Sequence, residues 1–325
     1  MARYDVFNGD ADGLCSLQQL HLSEPDAEQA ILVTGTKRDI ALLQRVPAED
    51  ADRVTVLDLS LDKNRGPLVD LLEQGVQVRY LDHHYPGEIP AHENLESHID
   101  TAADRGTSLL VDALLQGRHR AWAVVGTFGD NFDVAASRAA EALRLDSDAG
   151  ERLRELGILL NYNGYGATVA DLHFPPACLF KRLRPYADPL EFIDQDDAFA
   201  ALRDGYAADM AKARALIAEY SSPSHLVLVL PAERWARRVG GVYANALAQQ
   251  APRRAHALLT RLETGGFVVS VRAPIERPDG ADALCRQFDT GGGRKAAAGI
   301  NRLGDDDFSR FLNAFRAAFV ADAHH

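Results

Sequence analysis

The chain has 325 residues, of which 46% are hydrophobic and 25% charged, with a formal net charge of −12. That length exceeds the roughly 100–200 residues of a common single domain, so two domains are expected. No apolar run approaches the ~20 residues of a membrane span, the opening "MARYDVFNGD" has no apolar signal region, and Cys15, Cys178 and Cys285 form no CxxC pair, so the expected setting is a reducing cytoplasm without a membrane partner, a cysteine zinc site or a disulfide framework.

In chain order, the first part alternates strands and helices. "RYDVFN" (3–8) is a short apolar run that opens into "GDADG". "LCSLQQLHL" (14–22) sets Leu14, Leu17, Leu20 and Leu22 at helical spacing. A strand is expected at "AILVTG" (30–35) and a helix at "DIALLQRV" (39–46). "RVTVLDLS" (53–60) reads as an apolar strand that ends at Asp58. "RGPLVDLLEQG" (65–75) reads as a helix with Pro67 in its first turn and Gly75 at its end. "VQVRYLDHH" (76–84) is a further strand, ending in Asp82, His83 and His84. This alternation implies βαβ units and a parallel sheet.

The middle of the chain is mainly helical. "GTSLLVDALLQG" (106–117), "AWAVVGTFGDN" (121–131), "ASRAAEALRL" (136–145) and "ERLRELGILLNY" (151–162) follow one another, and the second leads to Asp130. Prolines punctuate 173–190, where an irregular connection is expected, before a long helical pattern at 198–220 interrupted near Gly205. Beyond "SSPSH" come a strand (226–230), a helix (239–250) and a hairpin (255–273) turning at Glu263-Thr264-Gly265-Gly266. A glycine cluster at 291–293 precedes a last helix at 305–320. The fold class is therefore α/β: a parallel-sheet domain with flanking helices (1–185), a helical linker (186–222) and a smaller α/β domain (223–325).

Charge is uneven along the chain. Residues 222–325 hold 14 basic and 10 acidic side chains, and residues 1–221 hold 21 and 37. The acidic first part lacks the basic stripe that long duplex nucleic acid requires and suits a carboxylate metal site. The basic second part suits a small phosphorylated ligand.

In an open α/β sheet, ligands bind beyond the carboxyl ends of the strands. Three strands here end in metal-capable side chains: Asp10 and Asp12, then Asp58, then His83 and His84. Asp130 is a fourth candidate. Taken alone, "NGDADG" looks like the start of a calcium loop. Counted from Asn8, however, the twelfth residue is Gln19 where such a loop needs a bidentate Glu, and a strand precedes it. Carboxylates mixed with imidazole favour manganese or another first-row metal over calcium.

In order and spacing, "NGDADG" (8–13), "LDLS" (57–60), "LDHH" (81–84) and "GTFGDN" (126–131) resemble the four motifs of the DHH phosphoesterases. "DTGGGRKAAAG" (289–299) resembles the glycine-rich signature of the associated C-terminal domain. The chain is thus similar to the nanoRNase and pAp-phosphatase type, and shares motifs with RecJ-type exonucleases. The resemblance implies a hydrolase with two Mn2+ ions, Mg2+ or Co2+ being substitutes. Asp10 would hold one ion and Asp12 the other, Asp58 would bridge them, and His83 and Asp130 would complete the second site. Asp82 would orient His83, His84 would face the substrate phosphate, and a metal-bridging hydroxide would attack phosphorus. The pattern departs at Asn8, an uncharged amide where the family places His or Asp.

In the second domain, Gly291, Gly292 and Gly293 would let backbone N–H groups converge on an anion, with Arg294 adding a bidentate phosphate contact. Arg272 would lie near the bound nucleotide, and Lys37 and Arg38 would meet phosphates beyond another strand end. The implied substrate is a very short oligonucleotide, such as the linear dinucleotide pGpG, cut to mononucleotides, with pAp dephosphorylation as a second activity. The alternatives are a cyclic-dinucleotide, polyphosphate or pyrophosphate hydrolase, a single-strand exonuclease, and a non-catalytic nucleotide sensor. A homodimer is compatible with the sequence.

Overall fold

A computed structural model describes residues 2–24, 29–102 and 104–319. Its contacts divide the chain into two compact units, 1–205 and 206–325.

The first unit is built on a parallel sheet of β1 (Ala2–Phe7), β2 (Ile31–Val33), β3 (Ala51–Leu57), β4 (Gln77–Asp82) and β5 (Leu95–Ile99), in the order β2-β1-β3-β4-β5. The chain leaves β1 toward β2 and later returns to the other side of β1 as β3. The loops after β1 and β3 therefore diverge and open a crevice at their carboxyl ends. On one face, Val54, Val56, Val78 and Tyr80 pack with Leu68, Leu71 and Leu72 of α2 (Leu61–Glu73). On the other lie α1 (Ala11–Ser23), α3 (Thr107–Leu114), α4 (Arg120–Gly129), α5 (Asp133–Glu141) and α6 (Ser147–Gly164), with α4 packed on both α1 and α6. Leu14, Leu17, Trp122, Leu156 and Leu160 are fully buried there, each large apolar side chain stabilising by about 1.5–3 kcal/mol.

Three expectations for this unit change. The segment 39–46 forms only a 3-10 turn, Leu43–Arg45. Asn64 binds the carbonyl of Ile40 at 2.7 Å and the amide of Leu43 at 3.1 Å, which pins the loop open, and Pro47 stops any helix. Helix α2 starts at Leu61, earlier than expected, so Pro67 lies inside it rather than in its first turn. The proline-rich stretch 173–190 holds α7 (Pro176–Leu183) and the start of α8 (Pro189–Gln195), because Pro176 and Pro189 each take the first helical position, where no N–H is needed. Buried Gln18 and Trp122 bind its carbonyls, Gln18 to Tyr186 at 2.9 Å and Trp122 to Ala187 at 3.1 Å. The edge strand β5, "LESHI", is short and polar and gives no strand signal in the sequence.

Helix α9 (Asp197–Arg214) runs unbroken through Gly205, and the boundary between the units falls within it. The second unit has β6 (Tyr220–Ser221), β7 (His225–Leu230), α10 (Arg234–Gln250), β8 (Ala255–Arg261), β9 (Phe267–Arg272), α11 (Ala281–Cys285), β10 (Gly291–Gly293), β11 (Ala297–Leu303) and α12 (Phe308–Ala318). The sheet order is β10-β11-β9-β8-β7-β6, with only β7 and β8 parallel. The β8–β9 hairpin turns where expected, with Gly265 and Gly266 at φ 82° and 79°. Val320, the expected end of the last helix, lies outside the described residues. Val269, Val271, Ile300, Phe311 and Phe315 form the core.

Buried His256 on β8 gives this unit an acid sensitivity. Burial, helped by the Arg254 charge, lowers its pKa from 6.5 to about 4. The unfolded chain therefore binds the proton first, and stability is full above about 6.5 and declines as pH falls toward about 4. Melting of the full chain is expected to fall more between pH 7 and pH 5 than melting of His256→Gln, and parallel declines would assign the acid sensitivity elsewhere.

Candidate metal centre

The loop after β1 is shaped by a close approach. A Cβ on Gly13 would lie 2.1 Å from the Asn8 carbonyl oxygen, so only glycine lets the chain turn into α1 there. Asp10 caps that helix, its Oδ1 accepting from the Gly13 amide at 3.1 Å. Asp12, in the first turn, is fully buried. It accepts from the amides of Thr107 at 2.7 Å and Ser108 at 2.8 Å and from the Ser108 hydroxyl, so the N-terminus of α3 holds it in place. Asp58, just after β3, lies in the left-handed region at φ 58°, and so does Asn131, directly after Asp130, at 64°. Asp and Asn reach that conformation more easily than other side chains, at a cost of about 1–2 kcal/mol. Such departures gather at functional sites.

These loops converge at the crevice between β1 and β3. His83 Nε2 lies 3.4 Å from Asp58 Oδ1, 3.7 Å from Asp130 Oδ2 and 4.0 Å from Asp12 Oδ2. It makes ion-pair approaches there without a geometrically formed hydrogen bond. Among the described residues, two groups have ligand atoms all within 4.8 Å of one another: Asp12, His83 and Asp130, and Asp58, His83 and His84. Phe132 packs edge-on against the His83 ring.

The electrostatics fit a cation. Burial lifts the Asp12 carboxyl, with His83 offsetting this only in part. Burial, then the charges of Asp12 and Asp10, push Asp58 well above the carboxylate range. Burial would lower His83, but the Asp58, Asp12 and Asp130 carboxylates raise it to about 10. Carboxylates that resist ionisation beside an imidazole that holds its proton form a site short of positive charge. Their donor set, oxygen mixed with nitrogen, suits a first-row divalent ion.

Other candidate residues fall differently. Asp82 Oδ1 is 2.7 Å from His84 Nδ1, so Asp82 orients His84 and not His83 as the resemblance implied. Lys37, expected to meet substrate phosphates, is held among the carboxylates instead. Its Nζ is 2.6 Å from Asp10 Oδ2 and 2.9 Å from both Asp130 Oδ1 and Asn161 Oδ1. Burial would lift Asp10, but the bonded Lys37 ammonium holds it below its ordinary value. Arg38 is exposed. Asn8 is buried, and its Oδ1 has no hydrogen-bond partner among the described residues.

In the second unit, Gly291–Gly293 is an extended strand paired with Gly299 and its neighbours. Successive N–H groups alternate sides in such a strand, so the expected converging nest does not form there. Gly291 has a packing reason, since a Cβ would lie 1.8 Å from the Cys285 carbonyl oxygen. Arg294 sits exposed at the tip of the β10–β11 hairpin, and Arg272 donates to Asn245 Oδ1 at 2.7 Å.

Four supporting residues carry only weak sequence signals. Thr107 and Ser108 look like a helix cap, Asn161 like part of a helix end, and Phe132 like an ordinary apolar residue.

No protein-family model matches the sequence, and no curated protein sequence matches it significantly. Solved structures do. Exonuclease RecJ bound to manganese aligns over 97% of this chain and 89% of its own, with a TM-score of 0.65 and 21% identity. The DHH domain of a member of a family of ribosomal proteins aligns over 97% and 86%, with a TM-score of 0.68 and 12% identity. The pGpG-specific phosphodiesterase PggH from Vibrio cholerae aligns over 98% and 100%, with a TM-score of 0.54 and 15% identity. The chain therefore has the DHH-domain fold, shared with RecJ over nearly its whole length.

Proposed function

We propose that the chain is a manganese-dependent phosphoesterase of the DHH type that cuts very short oligonucleotides, linear dinucleotides such as pGpG among them, to mononucleotides. Removal of the 3′-phosphate of pAp is a second activity in this reading. The observation that carries it is the convergence of Asp12, Asp58, His83 and Asp130 at one crevice. The DHH fold supports it, since proteins sharing that fold include an exonuclease and a pGpG phosphodiesterase.

Asp12, His83 and Asp130 would hold a divalent ion, and Asp58 would reach the same space. A divalent ion bound there lowers the pKa of water and neutralises charge on a phosphoryl group. The remaining work falls to the chain's own side chains. Asp82 engages Nδ1 of His84, which leaves Nε2 of that half-exposed ring for a phosphate oxygen. Arg294 and Arg272 of the C-terminal domain (223–325) would bind substrate phosphate. No described helix is long and apolar enough to cross a membrane, and the proposed setting is the cytoplasm.

A second reading, a non-catalytic nucleotide sensor, draws on the neutral amide of Asn8. A panel of labelled dinucleotides, pAp, cyclic dinucleotides and polyphosphate with manganese separates the two. Dinucleotides are expected to yield mononucleotides in a reaction that a chelator stops. Protein with bound metal and no turnover of any short phosphoester would leave the sensor in its place.

A further inference from the structure

We propose that Lys37 is a built-in cation that takes the place of one of the two divalent ions, so that the centre binds a single ion, at Asp12, His83 and Asp130. The inference rests on the metal-dependent reading above and departs from it in the number of ions.

Lys37 follows β2, the strand beside β1, and its backbone is fixed by a 2.8 Å hydrogen bond from its amide to the Gly164 carbonyl. An ammonium has three N–H donors. Here three acceptors meet them: Asp10 Oδ2 at 2.6 Å, Asp130 Oδ1 at 2.9 Å and Asn161 Oδ1 at 2.9 Å. Two of these come from strand-end and helix-end loops of the crevice and the third from the last turns of α6, so the socket is assembled from three separate elements. A lysine serving only as surface charge would not have its donors satisfied this way.

The arrangement of the other ligands agrees. Neither group of converging ligand atoms includes Asp10. That carboxylate spends one oxygen on the cap of α1 and the other on Lys37. A divalent ion bound against Asp10 would have to expel the ammonium or lie beside it, and like charges at that separation repel strongly in a buried site. Asn8 points the same way from an independent position. It is buried in the same loop, and its uncharged amide supplies no negative charge to attract a second ion. The ammonium adds positive charge and the amide adds no negative charge, so the loop after β1 has less need of a metal than the rest of the centre.

Lys37 would then act as a positioning residue. It fixes the Asp130 carboxylate by one oxygen and leaves the other, 3.7 Å from His83, facing the single ion.

The test uses the full chain, stripped with a chelator and equilibrated with manganese. Metal is counted by mass spectrometry and its state read by electron paramagnetic resonance. Wild type is expected to bind one ion with the hyperfine pattern of isolated Mn2+. Lys37→Met and Lys37→Ala are expected to gain a second ion, accepted by Asp10 and the open Asn8 oxygen, and the spectrum of an exchange-coupled pair. Two ions in wild type, or variants that fold and stay at one, would overturn the role of Lys37 while leaving a metal-dependent enzyme intact. No bound manganese in wild type would overturn the metal-dependent reading and this inference with it. The wild-type count and spectrum decide alone if neither variant folds.

Discussion

Asp58→Asn is expected to lower kcat on a dinucleotide by on the order of 10³-fold or more while leaving the fold intact, because a neutral amide cannot supply the charge a divalent ion needs. The substitution keeps size and backbone preference, since Asn tolerates the left-handed conformation that position 58 adopts at φ 58°. It also removes a charge that the metal-free protein carries at a cost. Burial, with Asp12 and Asp10 nearby, raises the Asp58 pKa well above 3.8. A carboxyl with a raised folded pKa binds protons more tightly in the folded state, so its ionisation erodes stability as pH climbs through that window. Metal-free Asp58→Asn should therefore melt no lower than wild type at pH 7, and its advantage should shrink in acid. Loss of turnover with a stable fold assigns Asp58 to the chemistry. Near-normal kcat would remove it from the centre, and a collapse in melting temperature would mean the carboxylate was holding Thr107 rather than serving a reaction.

Much of the first unit is legible in the hydrophobic pattern, because β1, β3 and β4 are buried runs that end in polar residues at the sheet's carboxyl edge. A parallel sheet turns that one-dimensional pattern into convergence in space, which is why Asp12, Asp58 and His83 meet although up to 71 positions separate them. What stays illegible depends on partners distant in sequence. The 39–46 stretch has helical spacing, yet Asn64 claims its backbone groups. Asp82 pairs with His84 just beyond the end of β4, a contact that a motif match does not weigh. Lys37 has the look of a solvated loop residue because nothing near it in sequence signals that Asp10, Asp130 and Asn161 will surround it. The glycine cluster at 291–293 has the composition of an anion nest, and its pairing with β11 is invisible without knowing that Ala297–Leu303 is a neighbouring strand.

Asp12→Ala is expected to cost both metal affinity and stability, and comparison with Asp12→Asn separates the two. The carboxylate is the acceptor for two buried amides, Thr107 and Ser108, and for the Ser108 hydroxyl. Alanine leaves those donors without a partner at the start of α3, where no intrahelical acceptor exists for them. Each buried donor left unpaired costs about 1–3 kcal/mol. Against this stands relief from burying a charge, since burial raises the Asp12 pKa and ionisation at neutral pH is therefore unfavourable. Asparagine gains that relief and keeps one oxygen for a donor, whereas alanine gains it and keeps none. The unpaired donors should dominate for alanine, giving a net loss of roughly 2–4 kcal/mol in denaturant unfolding without metal, while asparagine stays near wild type. Both variants should lose manganese binding. If alanine unfolds at the same denaturant concentration as asparagine, the hydrogen bonds at the head of α3 do not hold that helix, and Asp12 is present for the metal alone.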